Sequence, residues 1–408
     1  MKFKKDKQYY KFSFYGFFKN LRLFDPFLLL FFIDRGISYT EVGILYAFRE
    51  LVINLFEIVS GVIADALGRK KAMILAFVSY LLSFVLFYFF DGFWGFLIAF
   101  FFYGIGDAFR TGTHKAMIYA YLVRNNWQDE KTRYYGRTRG WSQKGAAVSS
   151  LLSAVLFFYT GNYGLMFLLT AIPYLFDLLL LSSYPSYLNG DSSGQLSSLL
   201  RKFKELIKEI LIALRSAVTI KAIVLTSSFT GFYKAIKDYI QIIVSSFAAS
   251  YILISHFSEK QNEAIYIGGV YFILYMVSSF ASRNAYKVEE VSKSIKAGLE
   301  NIQFVGYLQG VLAGLLFLYG FYLPALICFS LVLILQNLRR PMGVKYITQQ
   351  FEEKIMASAM SVESQSETLF SALMALVLGV IVNYVGLGWG ITCLSGALLV
   401  GSTLMRRL

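Results

Sequence analysis

Four polar or ionisable side chains recur at helical spacing in the stretch GDAFRTGTHKAMIYAYL, Gly106 to Leu122. Asp107, Arg110, Thr111 and His114 fall at i, i+3, i+4 and i+7, which is one face of a helix, and Lys115 lies beside that face. The stretch GFYKAIKDYIQ repeats the pattern with Lys234, Lys237, Asp238 and Gln241. Carboxylates and cations so spaced can close internal ion pairs, carry a proton, or hold a charged ligand by charge-assisted hydrogen bonds. Arg110 is therefore either a ligand contact or the internal partner of Asp107. Lys115 either binds or extends its ammonium to the membrane surface. In the second group Lys234 and Asp238, at i and i+4, make the better internal pair, which leaves Lys237 for a ligand.

Four more segments carry charge. Asn20, Arg22, Asp25 and Pro26 share one of them; Asp25 is either a proton carrier or the partner of Arg22. Pro26 leaves a carbonyl unpaired a turn earlier, so this segment is a candidate gate or hinge. Arg49, Glu50 and Glu57 share the next segment, and Glu363 and Glu367 stand at i and i+4 in a late one. Arg139, Gln143 and Lys144 add polar groups between these. Asp25, Glu50, Asp107 and Asp238 are the carboxylates that can carry a coupled proton. His114, with a reference pKa of about 6.5, is a further candidate.

The elements that position these groups are long and apolar. The chain of 408 residues is 57% hydrophobic, 18% aromatic and only 16% charged, with a mean hydropathy of +0.56. Soluble domains carry about 25% charged residues. Runs approaching the roughly 20 apolar residues that cross a bilayer imply an all-α membrane protein and exclude a β-barrel. Twelve transmembrane helices are expected, at 13–33, 42–66, 72–91, 94–122, 137–160, 163–183, 220–250, 265–282, 298–318, 321–338, 356–383 and 386–404. Turn residues at Asp91-Gly92, Thr160-Gly161-Asn162, Tyr319-Gly320 and Val385-Gly386 mark tight hairpins.

The net charge is +14. With the N-terminus inside, basic residues collect on one side: Lys2 to Lys7, Arg69 to Lys71, Arg124, Lys131, Arg133, Arg201 to Lys208, Arg283, Lys287, Lys293, Arg339, Arg340, Lys345, Arg406 and Arg407. The other side holds little beyond Arg35 and Lys260. This asymmetry explains the basic balance without a nucleic-acid partner and puts both termini in the cytoplasm. The expected organisation is a cytoplasmic tail (1–12), an N-terminal six-helix bundle (13–183), a cytoplasmic linker (184–219), a C-terminal six-helix bundle (220–404) and a short tail (405–408). In the linker, Leu199, Leu200, Phe203, Leu206, Ile207, Ile210 and Leu211 recur among Lys and Arg, as in a surface amphipathic helix. Cys328 and Cys393 read as small buried hydrophobes, and His114 and His256 are too few and too far apart for a metal site.

The loop after the second helix reads GVIADALGRKK. Gly61, Asp65, Gly68, Arg69 and Lys70 match, position by position, the loop signature of the major facilitator superfamily, which the chain resembles along its full length. Gly61 suits a close helix approach. Asp65 at a helix end can meet the positive N-terminus of a facing helix, and Met356–Ser361 is small enough to provide it. Glu57 shares the face of Gly61 and Asp65. The resemblance implies two six-helix bundles related by a pseudo-two-fold axis, which alternate access to a central site. It also implies that Glu57, Gly61, Asp65, Gly68, Arg69 and Lys70 form a conformational latch, Arg69 and Lys70 adding ion pairs between the halves. It further implies that helices four and seven border the central cavity.

The chain departs from the family's drug/proton antiporters: Phe100 stands where their fourth helix has Arg, and GAAVSSLLSA lacks their Gly-Pro pair. Cationic candidates outnumber those with an obvious local acid, so a secondary transporter for a small anionic or zwitterionic solute is expected, with Arg110, His114, Lys115, Lys234, Lys237 and Gln241 as substrate-binding candidates. Its partners would be that solute, protons or another coupling ion, and membrane lipid, with the chain acting as a monomer in the cell membrane. No cofactor and no enzymatic activity are expected, since no soluble-enzyme constellation stands out, and the lack of a phosphate-binding glycine loop speaks against ATP-driven transport. The alternatives are proton-coupled efflux of amphipathic drugs through a pocket lined by Phe232, Tyr233, Tyr271 and Tyr275, and a non-transporting sensor on the same fold.

Overall fold

The computed structural model describes residues 4–127, 130–190, 217–251, 253–284, 287–288, 292, 294–350 and 353–407. Within these ranges the side chains of 58, 62, 65, 66, 131–133, 217–219, 348–350, 353–361 and 407 are not described. The amphipathic segment expected at 199–211 lies outside the described residues.

Among the described residues the chain is helical, without a strand. The helices are α1 (Lys7–Lys19), α2 (Leu28–Asp34), α3 (Tyr39–Leu67), α4 (Arg69–Phe89), α5 (Gly92–Arg110), α6 (Thr113–Arg124), α7 (Lys131–Thr160) and α8 (Tyr163–Ser182), then α9 (Ala217–Ile236), α10 (Ile240–Ser250), α11 (Glu259–Arg283), α12 (Ile295–Leu318), α13 (Tyr322–Gln350), α14 (Glu353–Val385) and α15 (Leu387–Arg407). Side-chain caps fix several starts. Asp6 accepts from Tyr9 N at 2.8 Å, Asn162 from Leu165 N at 3.2 Å, and Ser258 and Gln261 close a reciprocal capping box on α11. The helices end at the four predicted hairpins.

Among the described residues, eight helical stretches are long and apolar enough to cross a membrane. The other four predicted spans, α1–α2, α3, α7 and α9–α10, contain a helix break or dense polar groups, and a further break, at Thr111-Gly112, lies within one of the eight. Large apolar side chains turn outward along the apolar spans, with Phe89, Trp94, Leu179 and Phe280 each about two-thirds exposed or more. A hydrocarbon surround makes that arrangement favourable, since Leu and Phe there face a solvent as apolar as themselves. Cys393, expected to be buried, is exposed on α15 for the same reason.

The chain divides into two compact units, Met1–Pro26 with Leu51–Lys204 and Phe27–Glu50 with Glu205–Leu408. Sequence order and packing therefore divide it differently. In the second unit α3 crosses α14 where two glycines meet. A Cβ on Gly379 would stand 2.5 Å from the Tyr39 carbonyl and 2.9 Å from Gly43 Cα, so only glycine permits the approach. The first turn of α2 is bound to α10: Gln241 Oε1 accepts from Leu29 N at 2.8 Å and from Leu30 N at 3.3 Å. These contacts explain why α2 and the first part of α3 belong with the second unit.

The first unit has an aromatic core. Phe24 and Phe87 both stack on Phe167 with centroids 4.6 Å apart, and Phe84 meets Tyr174 edge-on at 4.9 Å. In the second unit α13 runs on through Pro341 to Gln350, well past its expected end at 338. Arg339, counted above among the cytoplasmic loop charges, is therefore a buried helical residue, only 2% exposed. Its guanidinium donates to the carbonyls of Thr226 and Leu225 and to Gln303 Oε1, and these bonds hold α9 to α13.

Candidate functional site

Three rods expected to be continuous are broken, and the charges sit at the breaks. The first rod stops at Lys19 and resumes, after a 3₁₀ turn at Asp25–Phe27, as α2. Pro26 cannot donate in that turn, and the freed groups find side chains: Leu23 N donates to Thr170 Oγ1 at 3.0 Å and Lys19 O accepts from Tyr174 OH at 3.0 Å. The fourth rod breaks at Thr111-Gly112, where Gly112 has φ +85°, a left-handed conformation that favours glycine. The seventh breaks in a 3₁₀ turn at Lys237–Tyr239. Discontinuous spanning helices with backbone freed at mid-depth are where transporters of known architecture place their ligands.

The cluster of the first unit is built on α1, α4, α5 and the segment after α1. Arg110 Nη2 meets Asp107 Oδ1 at 2.9 Å, and Tyr80 OH donates to the same oxygen at 2.5 Å. Arg110 Nε lies 3.1 Å from Tyr80 OH, so one tyrosine binds both members of the pair. Arg22 pairs with Asp25 at 2.9 Å and donates to Tyr103 OH at 2.9 Å. The rings of Tyr80 and Tyr103 touch edge-on at 5.2 Å, which ties the two ion pairs into one polar patch. The His114 ring stacks on Tyr15 at 3.7 Å and its Nε2 lies 3.4 Å from Tyr184 OH. Lys115 is exposed on α6.

The cluster of the second unit joins α3, α9 and the turn after it. Glu50 is shared by Arg49 at 3.1 Å and by Lys234 at 3.2 Å. Lys237 pairs with its chain neighbour Asp238 at 3.0 Å. The expected Lys234–Asp238 pair is therefore replaced. The reason is the 3₁₀ turn, which changes the register after Ile236 so that i and i+4 no longer align, and Glu50 of α3 takes Lys234. The carboxylates are hidden, with 5% and 4% side-chain exposure, whereas Lys234 and Lys237 show 28% and 29%. Gln241 is fully buried and caps α2 as described, its amide nitrogen donating to Tyr271 OH at 3.2 Å. It holds structure between α2, α10 and α11, where the sequence suggested a substrate contact. Phe232 and Tyr271, proposed as lining of an apolar pocket, are both buried, Phe232 against Tyr307 at 5.2 Å.

The signature loop does part of what its residues suggested. Gly68 has φ +96° and starts α4, and a Cβ there would overlap the Asn189 amide, whose Oδ1 accepts from Lys70 N at 3.0 Å. Lys70 Nζ donates to the carbonyls of Ser182 at 2.5 Å and Tyr184 at 3.1 Å, capping the negative end of α8. Arg69 donates to Ala116 O of α6 at 3.4 Å. Arg69 and Lys70 thus bind carbonyls within their own unit. Among the described residues a Cβ on Gly61 would meet nothing within 4 Å. Ser60 Oγ, beside it, donates to Ala108 O at 3.0 Å and to the Glu57 carbonyl at 2.7 Å. The side chains of Asp65 and of Met356–Ser361 lie outside the described residues. A separate cavity of about 410 Å³ opens beside α6, between Arg69, Tyr119, Arg124 and Tyr187.

Tyr80, Tyr103, Lys19 and Asp177 escaped the sequence reading. Nothing separates Tyr80 and Tyr103 from the other tyrosines of a chain with 29 of them. Asp177 did carry a signal, a lone acid in LFDLLLL.

Comparison with known proteins follows the same line. The profile described as Major Facilitator Superfamily matches residues 14–338. An uncharacterized MFS-type transporter, YxaM, of Bacillus subtilis (strain 168) is 22% identical over 372 residues, covering 90% of this chain and 86% of that protein. The crystal structure of the nucleoside transporter NupG superposes with a TM-score of 0.75 at 11% identity, covering 99% of this chain and 100% of NupG. A POT family transporter in complex with a thioalcohol conjugated peptide superposes with a TM-score of 0.70 at 14% identity, over 98% and 96% of the two chains. A broken-helix membrane architecture, charges at the breaks and a profile match over most of the sequence agree: this chain belongs to the Major Facilitator Superfamily of transporters.

Proposed function

We propose that this protein is a secondary transporter that carries a small anionic or zwitterionic solute across the cell membrane by alternating access, coupled to protons. The observation that carries this reading is the asymmetry of the second cluster. Three cations, Arg49, Lys234 and Lys237, face two carboxylates, and the carboxylates are buried while the lysine heads are reachable. A solute entering there meets positive charge first, and a carboxylate or phosphate on it gains charge-assisted bonds to lysines already oriented by Glu50 and Asp238. Arg110 and Arg22 supply the corresponding donors in the first unit. The names of the matched transporters, for nucleosides and peptides, fit a small polar cargo.

In this reading the rods α1–α2, α3, α4, α5–α6, α7, α8, α9–α10 and α11 to α15 make twelve crossings with both termini cytoplasmic. Pro26 and Gly112 let the broken rods flex as access alternates. Asp107 and Asp25 release their arginines when solute or proton arrives. The burial of Phe232 and Tyr271 weighs against a lipophilic drug pocket. The test is uptake into proteoliposomes under an imposed pH gradient. Uptake of a small organic anion that disappears in Arg110→Ala and Lys237→Ala supports the proposal. Transport of lipophilic cations that survives both changes overturns it.

A further inference from the structure

Asp177 lies on α8, in the apolar stretch PYLFDLLLL. It is completely buried, and among the described residues neither carboxylate oxygen has a hydrogen-bond partner and no other carboxylate has both oxygens in this state. Asp25, Glu50, Asp107 and Asp238 differ, since each holds a cation within 3.2 Å. A carboxylate without donors inside a spanning helix is costly in its charged form and tolerable in its neutral one, so such a group marks a proton or ion path by default.

Its surroundings define what can exchange with it. α1 presents Tyr15 and Lys19, and the segment after α8 presents Tyr184; all three are its electrostatic neighbours. α4 presents Tyr80, in edge contact at 5.3 Å with Tyr174, which stands one turn before Asp177 on the same helix. α7 presents Tyr135, which acts on Tyr15. The cation that acts on Asp177 is Lys19, half-buried at the last turn of α1. Lys19 also feels Arg22, Asp25, Asp107 and Arg110. It therefore stands electrostatically between an orphaned carboxylate and the two ion pairs of the ligand cluster.

We propose that Asp177 is a proton-binding site of the transport cycle and that Lys19 is the counter-charge it shares with the Arg22–Asp25 and Asp107–Arg110 pairs. When Lys19 turns to a carboxylate of that cluster, or to an anionic solute seated there, Asp177 takes a proton from water and becomes the neutral acid. When Lys19 turns back, the proton returns to water and the carboxylate is held by the ammonium. One proton moves and no other bond forms or breaks. The idea deepens the proton coupling proposed above, and its test reads protonation without transport, so either can fail alone.

The test is pH-difference infrared spectroscopy of the full chain in phosphatidylcholine–phosphatidylglycerol vesicles, with no solute added. The wild-type protein is expected to show a protonated-carboxyl C=O band that follows pH and is lost in Asp177→Asn. Lys19→Gln is expected to move the midpoint of that band upward by roughly one pH unit or more, because the charged form loses its cation. Asp177→Glu should keep the band at a changed frequency, which decides the matter if Asp177→Asn does not yield a folded, monodisperse protein. A band that persists in Asp177→Asn, or that ignores both Asp177→Glu and Lys19→Gln, overturns the proposal.

Discussion

The two charged clusters use the same ingredients in opposite ways. In the first unit both members of the Asp107–Arg110 pair are reachable, at 20% and 24% side-chain exposure, and Tyr80 holds them together. In the second unit the acid is hidden and only the lysine is reachable, for Glu50–Lys234 and Asp238–Lys237 alike. A pair exposed on both sides can be opened by a ligand of either sign or by a proton. A pair whose acid is buried presents one sign. In the proposed transport cycle the first cluster would switch and the second would select an anionic group.

The comparison breaks most visibly at Glu50. Glu50→Gln leaves Arg49 and Lys234 without their shared, buried carboxylate and should cost about 3–5 kcal/mol of stability, read as thermal unfolding in detergent. Asp107→Asn removes a partly exposed acid that accepts three charge-assisted or hydroxyl bonds, and the same assay should show a smaller loss of about 2 kcal/mol. Equal losses would mean that the two clusters do not differ in kind. Gly379→Ala forces a methyl group against the Tyr39 carbonyl and Gly43 and should cost about 1–3 kcal/mol. An unchanged melting temperature there would remove the reason given for placing the first part of α3 with the second unit. Lys70→Ala uncaps α8 and should cost only about 0.3–1 kcal/mol, measurable as faster amide exchange near Ser182.

Much of the fold was legible because membrane spans are written in long apolar runs, and the hairpin glycines mark where they stop. The charges at Asp107, Arg110, Lys234 and Lys237 were legible as anomalies in those runs. Their partners were not, because partner choice depends on the breaks. A 3₁₀ turn at Lys237–Tyr239 shifts the register by less than a turn, enough to hand Lys234 to Glu50 across 184 residues. Arg339 misled for a related reason. Two arginines followed by Pro341 look like a helix end, yet Arg339 is buried and satisfied by backbone carbonyls of α9, and α13 continues past it. Gln241 looked like a ligand group because it shares the helical spacing of Lys234, Lys237 and Asp238; the N–H groups it caps open α2, over two hundred residues away.

The central claim is that the exposed lysines of the second cluster select an anionic group on the solute. It is tested most directly by uptake into proteoliposomes of a panel of small organic anions, zwitterions and lipophilic cations, with wild-type and Lys237→Gln proteins side by side. Loss of one charge-assisted bond, about 1.5–3 kcal/mol, predicts that anion or zwitterion uptake falls roughly 10- to 100-fold while the protein stays folded. Anion uptake that is unchanged in Lys237→Gln, or uptake confined to lipophilic cations, would contradict it.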